Sequence, residues 1–326
     1  MTKARAVVLH GFGPADVMQL ETLDLAAPGA GEVLVAQTAI GFNYIDVYQR
    51  SGIYPLPNPT GLGHEAAGIV EAVGSGVESV KPGDRVAYMN AGLGAYADKR
   101  IVPAEKLVKL PDGVGDEMAA ALLFKGMTAQ YLLRRTHAVQ PGEMIIIHAA
   151  AGGVGQILAG WGKALGAFVV GTAGSPEKCA VALRAGCDIA IDYSKPDWAQ
   201  DLLAATGGRK ARVVYDSVGK TTFLQSLDLA APFGLVVSYG AASGPAPEIS
   251  MDLLNKKGCL YVTRPSVFPH NADPATFRAN AAELFAAIAS GAVKVDIGAR
   301  FKLADIVAAH RAAEARATTG AILITP

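Results

Sequence analysis

The sequence predicts an α/β protein of two domains, one β-rich and one built on a doubly wound parallel sheet. Three observations carry this. The run Met144-Ile145-Ile146-Ile147-His148-Ala149-Ala150-Ala151-Gly152-Gly153-Val154-Gly155 passes from an apolar strand pattern into a glycine-rich turn, and a helical pattern follows over 156–165. From about residue 125 onward, strand and helix patterns alternate. Before it, strand patterns separated by Gly- and Pro-rich turns dominate. A chain of 326 residues suits two such domains.

Taken in order, strands are expected at 7–10, 32–40, 66–73, 85–88 and 98–102. Turn signals such as Ala27-Pro28-Gly29, Gly74-Ser75-Gly76 and Lys81-Pro82-Gly83-Asp84 separate them. One short helix is expected at 44–51. A helix near 128–136 leads to the strand around Ile145. Further strands begin at Phe168, Ile189, Val213 and Leu235, and helices follow from Pro176, Asp197, Lys220 and Met251. The sixth strand is Cys259-Leu260-Tyr261-Val262, and six is the count of a dinucleotide-binding domain. The tail reads as a helix at 274–289, a strand near Gly298, a helix at 303–317 and a last strand at 321–325.

The turn after Ile147 has the form Ala150-x-Gly152-x-x-Gly155, the fingerprint of a Rossmann unit. Gly152 lets the backbone approach a pyrophosphate, and Gly155 lets the helix lie tight on its strand. The helix N-terminus then offers free N–H groups and the positive end of its dipole. An NAD site of this kind places an acid at the tip of the second strand for the ribose 2′-hydroxyl. Here that strand, at 168–172, ends in Ala173-Gly174-Ser175-Pro176-Glu177-Lys178. A small polar turn and a lysine suit a 2′-phosphate: Ser175 can donate and Lys178 can pair with the charge. Glu177 falls in the first helical turn, where acids commonly sit for the dipole. The expected cofactor is NADPH.

Composition narrows the class further. Net charge is zero and there is no basic cluster, so nothing points to nucleic acid. Lys3 and Arg5 precede only a short apolar stretch, which reads as a first strand and not a signal peptide. No apolar run is long enough to cross a bilayer. Cys179, Cys187 and Cys259 match neither a disulfide framework nor a zinc spacing. They read as buried, inert thiols in a reducing cytoplasm.

With Gly63-His64-Glu65-Ala66-Ala67-Gly68 and Pro82-Gly83-Asp84-Arg85-Val86, the chain resembles the medium-chain dehydrogenase/reductase superfamily. Within it, Asn43-Tyr44-Ile45-Asp46-Val47-Tyr48, Arg50-Ser51-Gly52-Ile53-Tyr54 and Arg212-Val213-Val214-Tyr215-Asp216-Ser217-Val218-Gly219 resemble the zeta-crystallin-like quinone oxidoreductase branch. So do Leu260-Tyr261-Val262-Thr263-Arg264-Pro265-Ser266 and Glu314-Ala315-Arg316-Ala317-Thr318-Thr319-Gly320. The resemblance covers essentially the whole chain. It implies a GroES-like catalytic domain at 1–124 and 267–326, and a Rossmann domain at 125–266. It places a cofactor site at Thr128, at Ala151, Gly152, Gly153 and Val154 in the turn, and at Gly174, Ser175, Lys178 and Tyr193. Ser217, Ser238, Gly240, Thr263 and Arg264 continue that site, with Arg316 near the adenosine phosphate.

A catalytic zinc in the superfamily takes a Cys where Asn43 stands, the His of the Gly-His-Glu segment, and a Cys near Lys125. Only His64 is present, and three protein ligands are needed, so no metal is expected. Chemistry then falls to the nicotinamide, with the protein supplying position and polar contacts. A quinone oxyanion is delocalised, so hydrogen-bond donors suffice where an alkoxide would need a Lewis acid. The resemblance places Asn43, Tyr48 and Tyr54 along the substrate cleft, with Asp46 as an orienting acceptor. Three functions fit: an NADPH-dependent quinone reductase, an NADPH-dependent reductase of activated C=C bonds, and a non-catalytic NADPH-binding protein. The apolar edge strand Cys259-Leu260-Tyr261-Val262 must be covered. Resembling enzymes pair it with its twofold copy, so a homodimer is expected.

Overall fold

The computed structural model describes residues 1–326 and divides into two compact units. The first comprises Met1–Met127, His270–Ala289 and Asp296–Pro326, and the second Thr128–Pro269 and Ser290–Val295. The expected switches after residues 124 and 266 each lie three residues before the observed ones. The brief return at 290–295 carried no sequence signal.

In chain order the first unit opens with β1 (Thr2–Leu9), β2 (Met18–Leu25), β3 (Glu32–Gly41), α1 (Tyr44–Arg50), β4 (Thr60–Gly61) and β5 (Glu65–Val73). It continues through β6 (Arg85–Met89), β7 (Lys99–Pro103), β8 (Leu107–Lys109) and α2 (Asp116–Tyr131), in which the chain passes to the second unit. There follow β9 (Met144–Ile147), α3 (Gly153–Ala164), β10 (Phe168–Ala173), α4 (Pro176–Arg184), β11 (Ile189–Asp192) and α5 (Trp198–Ala205). Next come β12 (Ala211–Asp216), α6 (Phe223–Leu229), β13 (Ala230–Ser238), α7 (Met251–Lys256) and β14 (Tyr261–Thr263). The chain then runs through α8 (Val267–His270), α9 (Pro274–Ala289), β15 (Ile297–Lys302), α10 (Ile306–Glu314) and β16 (Ala321–Thr325).

In the first unit, β15-β16-β3-β5-β6-β8 form one sheet with β7 paired to β3, and β2-β1-β4 form another. Val7, Leu9, Val33, Val35, Ile40, Tyr88 and Tyr96 meet in its core. In the second unit the strands run parallel in the order β11-β10-β9-β12-β13-β14. That is the doubly wound order expected of a dinucleotide domain. The four residues of β9 are fully buried, as an unbroken apolar run between two layers of helices must be.

Three elements depart from expectation. The helix expected near 128–136 begins twelve residues earlier, at Asp116, and ends in a π-turn over Leu132–Thr136. From Ala119 to Leu133 almost every residue is buried, so no polar face marked the helix. β2 has a mostly exposed, polar sequence; its eight-residue antiparallel ladder with β1 recruits it. The expected edge strand at 259–262 begins at Tyr261 instead. Cys259 turns through a positive φ of 55°, and the Leu260 N–H donates to the carbonyl of Leu254 at 3.1 Å, closing the end of α7. Cys187 is buried as expected, whereas Cys179 is half-buried and Cys259 exposed.

Candidate active site

In the second unit the expected cofactor residues gather along the carboxyl ends of the parallel strands, where open α/β sheets bind ligands. Gly152 caps α3 in extended conformation after β9. Ala151 is buried behind it, and Gly153 and Val154 form the first helical turn. A Cβ on Gly155 would lie 2.4 Å from the Ala149 carbonyl oxygen and 2.7 Å from Ala150 Cα, so only glycine lets α3 start here. A Cβ on Gly152 meets only one atom, at 3.2 Å. The protein itself therefore tolerates more at Gly152, and the cradle it leaves fits a pyrophosphate.

Gly174 and Ser175 follow β10, and Tyr193 follows β11 with its ring against Gly174. Ser175 caps α4, accepting the Lys178 N–H at 3.3 Å. Its hydroxyl also bonds the Glu177 carboxylate, which holds that exposed carboxyl below its ordinary range. A second acid stands nearby: Asp192 ends β11 and accepts the Ser194 N–H at 2.9 Å. It pairs in register with Ala173, a relation across strands that linear spacing does not show. Ser217 follows β12 and donates to the His148 carbonyl at 3.4 Å. Ser238 ends β13, and Thr263 ends β14. Arg264 Nη1 reaches the Ser238 hydroxyl at 3.3 Å, and Gly240 lies just beyond. Thr128 is buried on α2, where the second unit begins. Arg316 belongs to the first unit, at the end of α10 with φ 54°.

Beneath this edge lies a buried network that sequence reading missed. Asp216 ends β12 and accepts the Val218 and Gly219 N–H groups at 2.8 and 2.9 Å. Thr222 and Ser226 add their hydroxyls at 2.9 Å, and Ser226 in turn meets His148 Nε2 at 3.0 Å. One carboxylate thus fixes the loop that carries Ser217.

In the first unit, Asn43 caps α1 and its backbone N–H donates to Asp46 Oδ2 at 2.9 Å. Asp46 also accepts the Tyr96 hydroxyl at 2.7 Å and is wholly buried. Asp46 is an acceptor that orients its neighbours, the Asn43 backbone and the Tyr96 hydroxyl, from inside. The Asn43 amide is engaged too, donating through Nδ2 to Glu65 Oε1 at 2.8 Å. Lys125 Nζ closes the cluster, at 3.2 Å from Asn43 Oδ1 and 3.1 Å from Glu65 Oε1. Glu65 Oε2 accepts the Phe124 N–H at 2.6 Å, and a Cβ on Gly41 would fall 2.3 Å from Glu65 Oε1. Neither Glu65 nor Lys125 had been singled out as functional. In the sequence Lys125 marks a missing thiolate, and a lysine within the apolar run of α2 is itself a signal. Tyr44, Tyr48 and Tyr54 stack edge to face, with centroids 5.2 and 5.4 Å apart, and Tyr54 is exposed. His64 Nε2 meets Gln49 Oε1 at 3.0 Å. No group of three or more His, Cys, Asp or Glu side chains is placed to hold a metal ion.

Burial pushes the Asp46 carboxyl up to about 7, against the pull of Tyr96, the Asn43 N–H and Lys125. Between 3.8, its ordinary value, and about 7 the folded protein holds the extra proton, so this group's contribution to stability falls as pH rises through that window. His64 and His310 act oppositely. Burial lowers them to about 4 and about 3, so the unfolded chain protonates first and stability falls as pH drops below 6.5. Asp46→Asn should therefore gain on the wild type as pH rises from 4 to 7, by up to roughly 4 kcal/mol at ~1.36 kcal/mol per pKa unit. Urea unfolding across that range reads it, and a pH-independent difference would contradict it.

Comparison with known proteins agrees with this architecture. The family model described as alcohol dehydrogenase GroES-like domain matches residues 29–112, and that described as zinc-binding dehydrogenase matches residues 153–286. The quinone oxidoreductase of Pseudomonas aeruginosa is 48% identical over 99% of this chain and 100% of its own. The 2-haloacrylate reductase of a Burkholderia species is 41% identical over 98% of both chains. The crystal structure of Escherichia coli quinone oxidoreductase complexed with NADPH superposes with a TM-score of 0.96 at 45% identity, covering 99% of this chain and 100% of that one. The expected fold holds: a GroES-like β-rich domain joined to a doubly wound Rossmann domain. The chain belongs to the quinone oxidoreductase branch of the medium-chain dehydrogenase/reductase superfamily.

Proposed function

We propose that this protein is a zinc-independent, NADPH-dependent quinone oxidoreductase. The observation that carries the cofactor is the β10 tip, where Gly174 and the capping Ser175 stand in place of an acid, beside Tyr193 and the glycine cradle of α3. The NADPH-complexed E. coli relative supports it over nearly the whole chain. Gly152, Gly153 and Val154 would hold the pyrophosphate, and Lys178 the 2′-phosphate. The nicotinamide supplies the hydride when bound; the protein orients the acceptor and offers donors to its oxygen. At the positions that carry zinc ligands in the superfamily, Asn43 and Lys125 bond each other and His64 meets Gln49, a donor set that does not fit the metal.

The test is NADPH oxidation with a quinone, before and after chelator treatment, with no loss expected. Lys178→Ala should weaken NADPH roughly tenfold to a hundredfold and leave NADH nearly unchanged, the range for one charge-assisted bond. Equal losses for both cofactors would show that Lys178 does not read the phosphate. The Burkholderia relative favours a second reading, reduction of an activated C=C bond, and turnover of an enone in preference to a quinone would select it. Tight NADPH binding without turnover of either would point to a non-catalytic role.

We also propose a cytoplasmic homodimer joined through β14. No helix of the protein is long and apolar enough to cross a membrane, and three unpaired cysteines suit a reducing compartment. β14 is the sheet edge, and its Tyr261 is 61% exposed. A proline at Leu260 would disturb the end of α7, not an intersubunit ladder, because that N–H is already bound to Leu254. Tyr261→Asp is the cleaner probe: light scattering at micromolar concentration should shift from dimer toward monomer while the circular dichroism spectrum is kept. A monomeric wild type would refute the assembly.

A further inference from the structure

We infer that Lys125 is the charged donor for the substrate oxygen that gains negative charge during reduction; this rests on the reading of the protein as a quinone or enone reductase. Lys125 and Arg50 are the buried lysine and arginine of the molecule. Arg50 commits both terminal nitrogens to Glu314, at 3.0 and 2.6 Å. Lys125 differs. Its ammonium has three N–H bonds, and two are placed, on Glu65 and on Asn43. The third is available to a ligand.

The surroundings fix the nitrogen while leaving that bond open. Glu65 is held by the Phe124 N–H and the Asn43 amide and has no exposed side-chain surface. Lys125 keeps 8% of its side chain accessible where Glu65 keeps none, so a ligand can approach the pair only from the lysine side. A buried lysine–glutamate pair gains little stability over an apolar pair of the same volume. What it does provide is an ammonium held in place by two fixed acceptors. Asn43 and Glu65 are positioning residues in this scheme, and Lys125 is the group that meets the substrate.

The electron balance is simple. Quinone, NADPH and one proton give hydroquinone and NADP⁺. The hydride carries two electrons to the acceptor, a carbonyl-conjugated π bond breaks, and the negative charge collects on oxygen. The ammonium N–H donates to that oxyanion as the charge develops, and solvent provides the final proton. Preorganised donors of this kind contribute on the order of 10²–10³ in kcat.

4-Nitrophenol, an analogue of the hydroquinone monoanion, reads this directly. Bound to the full-length wild type it should ionise at lower pH than in solution, seen as phenolate absorbance. Lys125→Met should abolish the shift and lower kcat with 1,4-benzoquinone by 10²-fold or more, with NADPH affinity changed less than threefold. Because Lys125→Met strands the Glu65 charge, the neutral double variant Lys125→Met/Glu65→Gln provides the folded control and should show the same losses. A folded double variant that keeps the phenolate shift and the turnover overturns the assignment. A wild type that shifts 4-nitrophenol through Lys125 but reduces neither quinone nor enone overturns the functional reading instead.

Discussion

Gly155→Ala is expected to abolish NADPH binding and to destabilise the dinucleotide-binding unit by about 3 kcal/mol, the upper part of the usual overpacking range. The added methyl carbon would stand 2.4 Å from the Ala149 carbonyl oxygen and 2.7 Å from Ala150 Cα. Both are backbone atoms, so no rotamer change relieves the clash; the start of α3 must lift off β9. Ala149 already sits at a positive φ of 53°, which leaves the turn little room to adjust. Gly152→Ala is the informative contrast. Its φ of −79° suits any residue, and the nearest atom is 3.2 Å from the new carbon. Stability should change by no more than about 0.5 kcal/mol, yet NADPH affinity should fall at least tenfold if the backbone there must approach the pyrophosphate. Thermal unfolding and fluorescence titration of the two variants separate the roles. A Gly155→Ala protein as stable as the wild type would show that α3 is not packed as described.

The same contrast marks what could be read from the sequence. The turn at Gly152 and Gly155 was legible because phosphate binding places its glycines at fixed short spacing, and β9 was legible because it is buried on both faces. The count of six parallel strands followed from that alternation, whereas the cofactor residues beyond the turn were expected from the family resemblance. The start of α2 was not legible. A helix buried all round has no polar face, so Asp116 and Glu117 were its only markers. β14 was misplaced by two residues because Cys259 and Leu260 are as apolar as a strand, and only backbone geometry reveals the turn there. Asp46 reads from the sequence as an orienting acceptor; that Tyr96 reaches it from fifty residues away is a tertiary fact. The Asn43–Glu65–Lys125 cluster failed for the same reason. Its members were each in view, but as an absent zinc ligand, a neighbour of His64 and an absent thiolate. Asking what bonds replace missing metal ligands would have brought them together.

Glu65→Ala is expected to cost about 3–5 kcal/mol, the range for removing one partner of a buried ion pair. Four losses coincide. Lys125 is left with only Asn43 Oδ1 as a partner. The buried Phe124 N–H loses its 2.6 Å bond to the carboxylate. The Asn43 amide loses its acceptor as well, so the cap of α1 loosens. The space that the carboxylate fills beside Gly41 becomes a void. Glu65→Gln should cost less, because an amide oxygen still accepts, and it leaves the ammonium unneutralised without emptying the site. Lys125→Met/Glu65→Gln removes the cation and should recover most of the difference. In urea unfolding the double variant is therefore expected to be more stable than Glu65→Ala by at least about 2 kcal/mol, with a coupling between the two sites in the range of buried contacting pairs, roughly 0.5–3 kcal/mol. Additive behaviour would mean that the two side chains do not sense each other, and the cluster would then have no claim to hold a charge for chemistry.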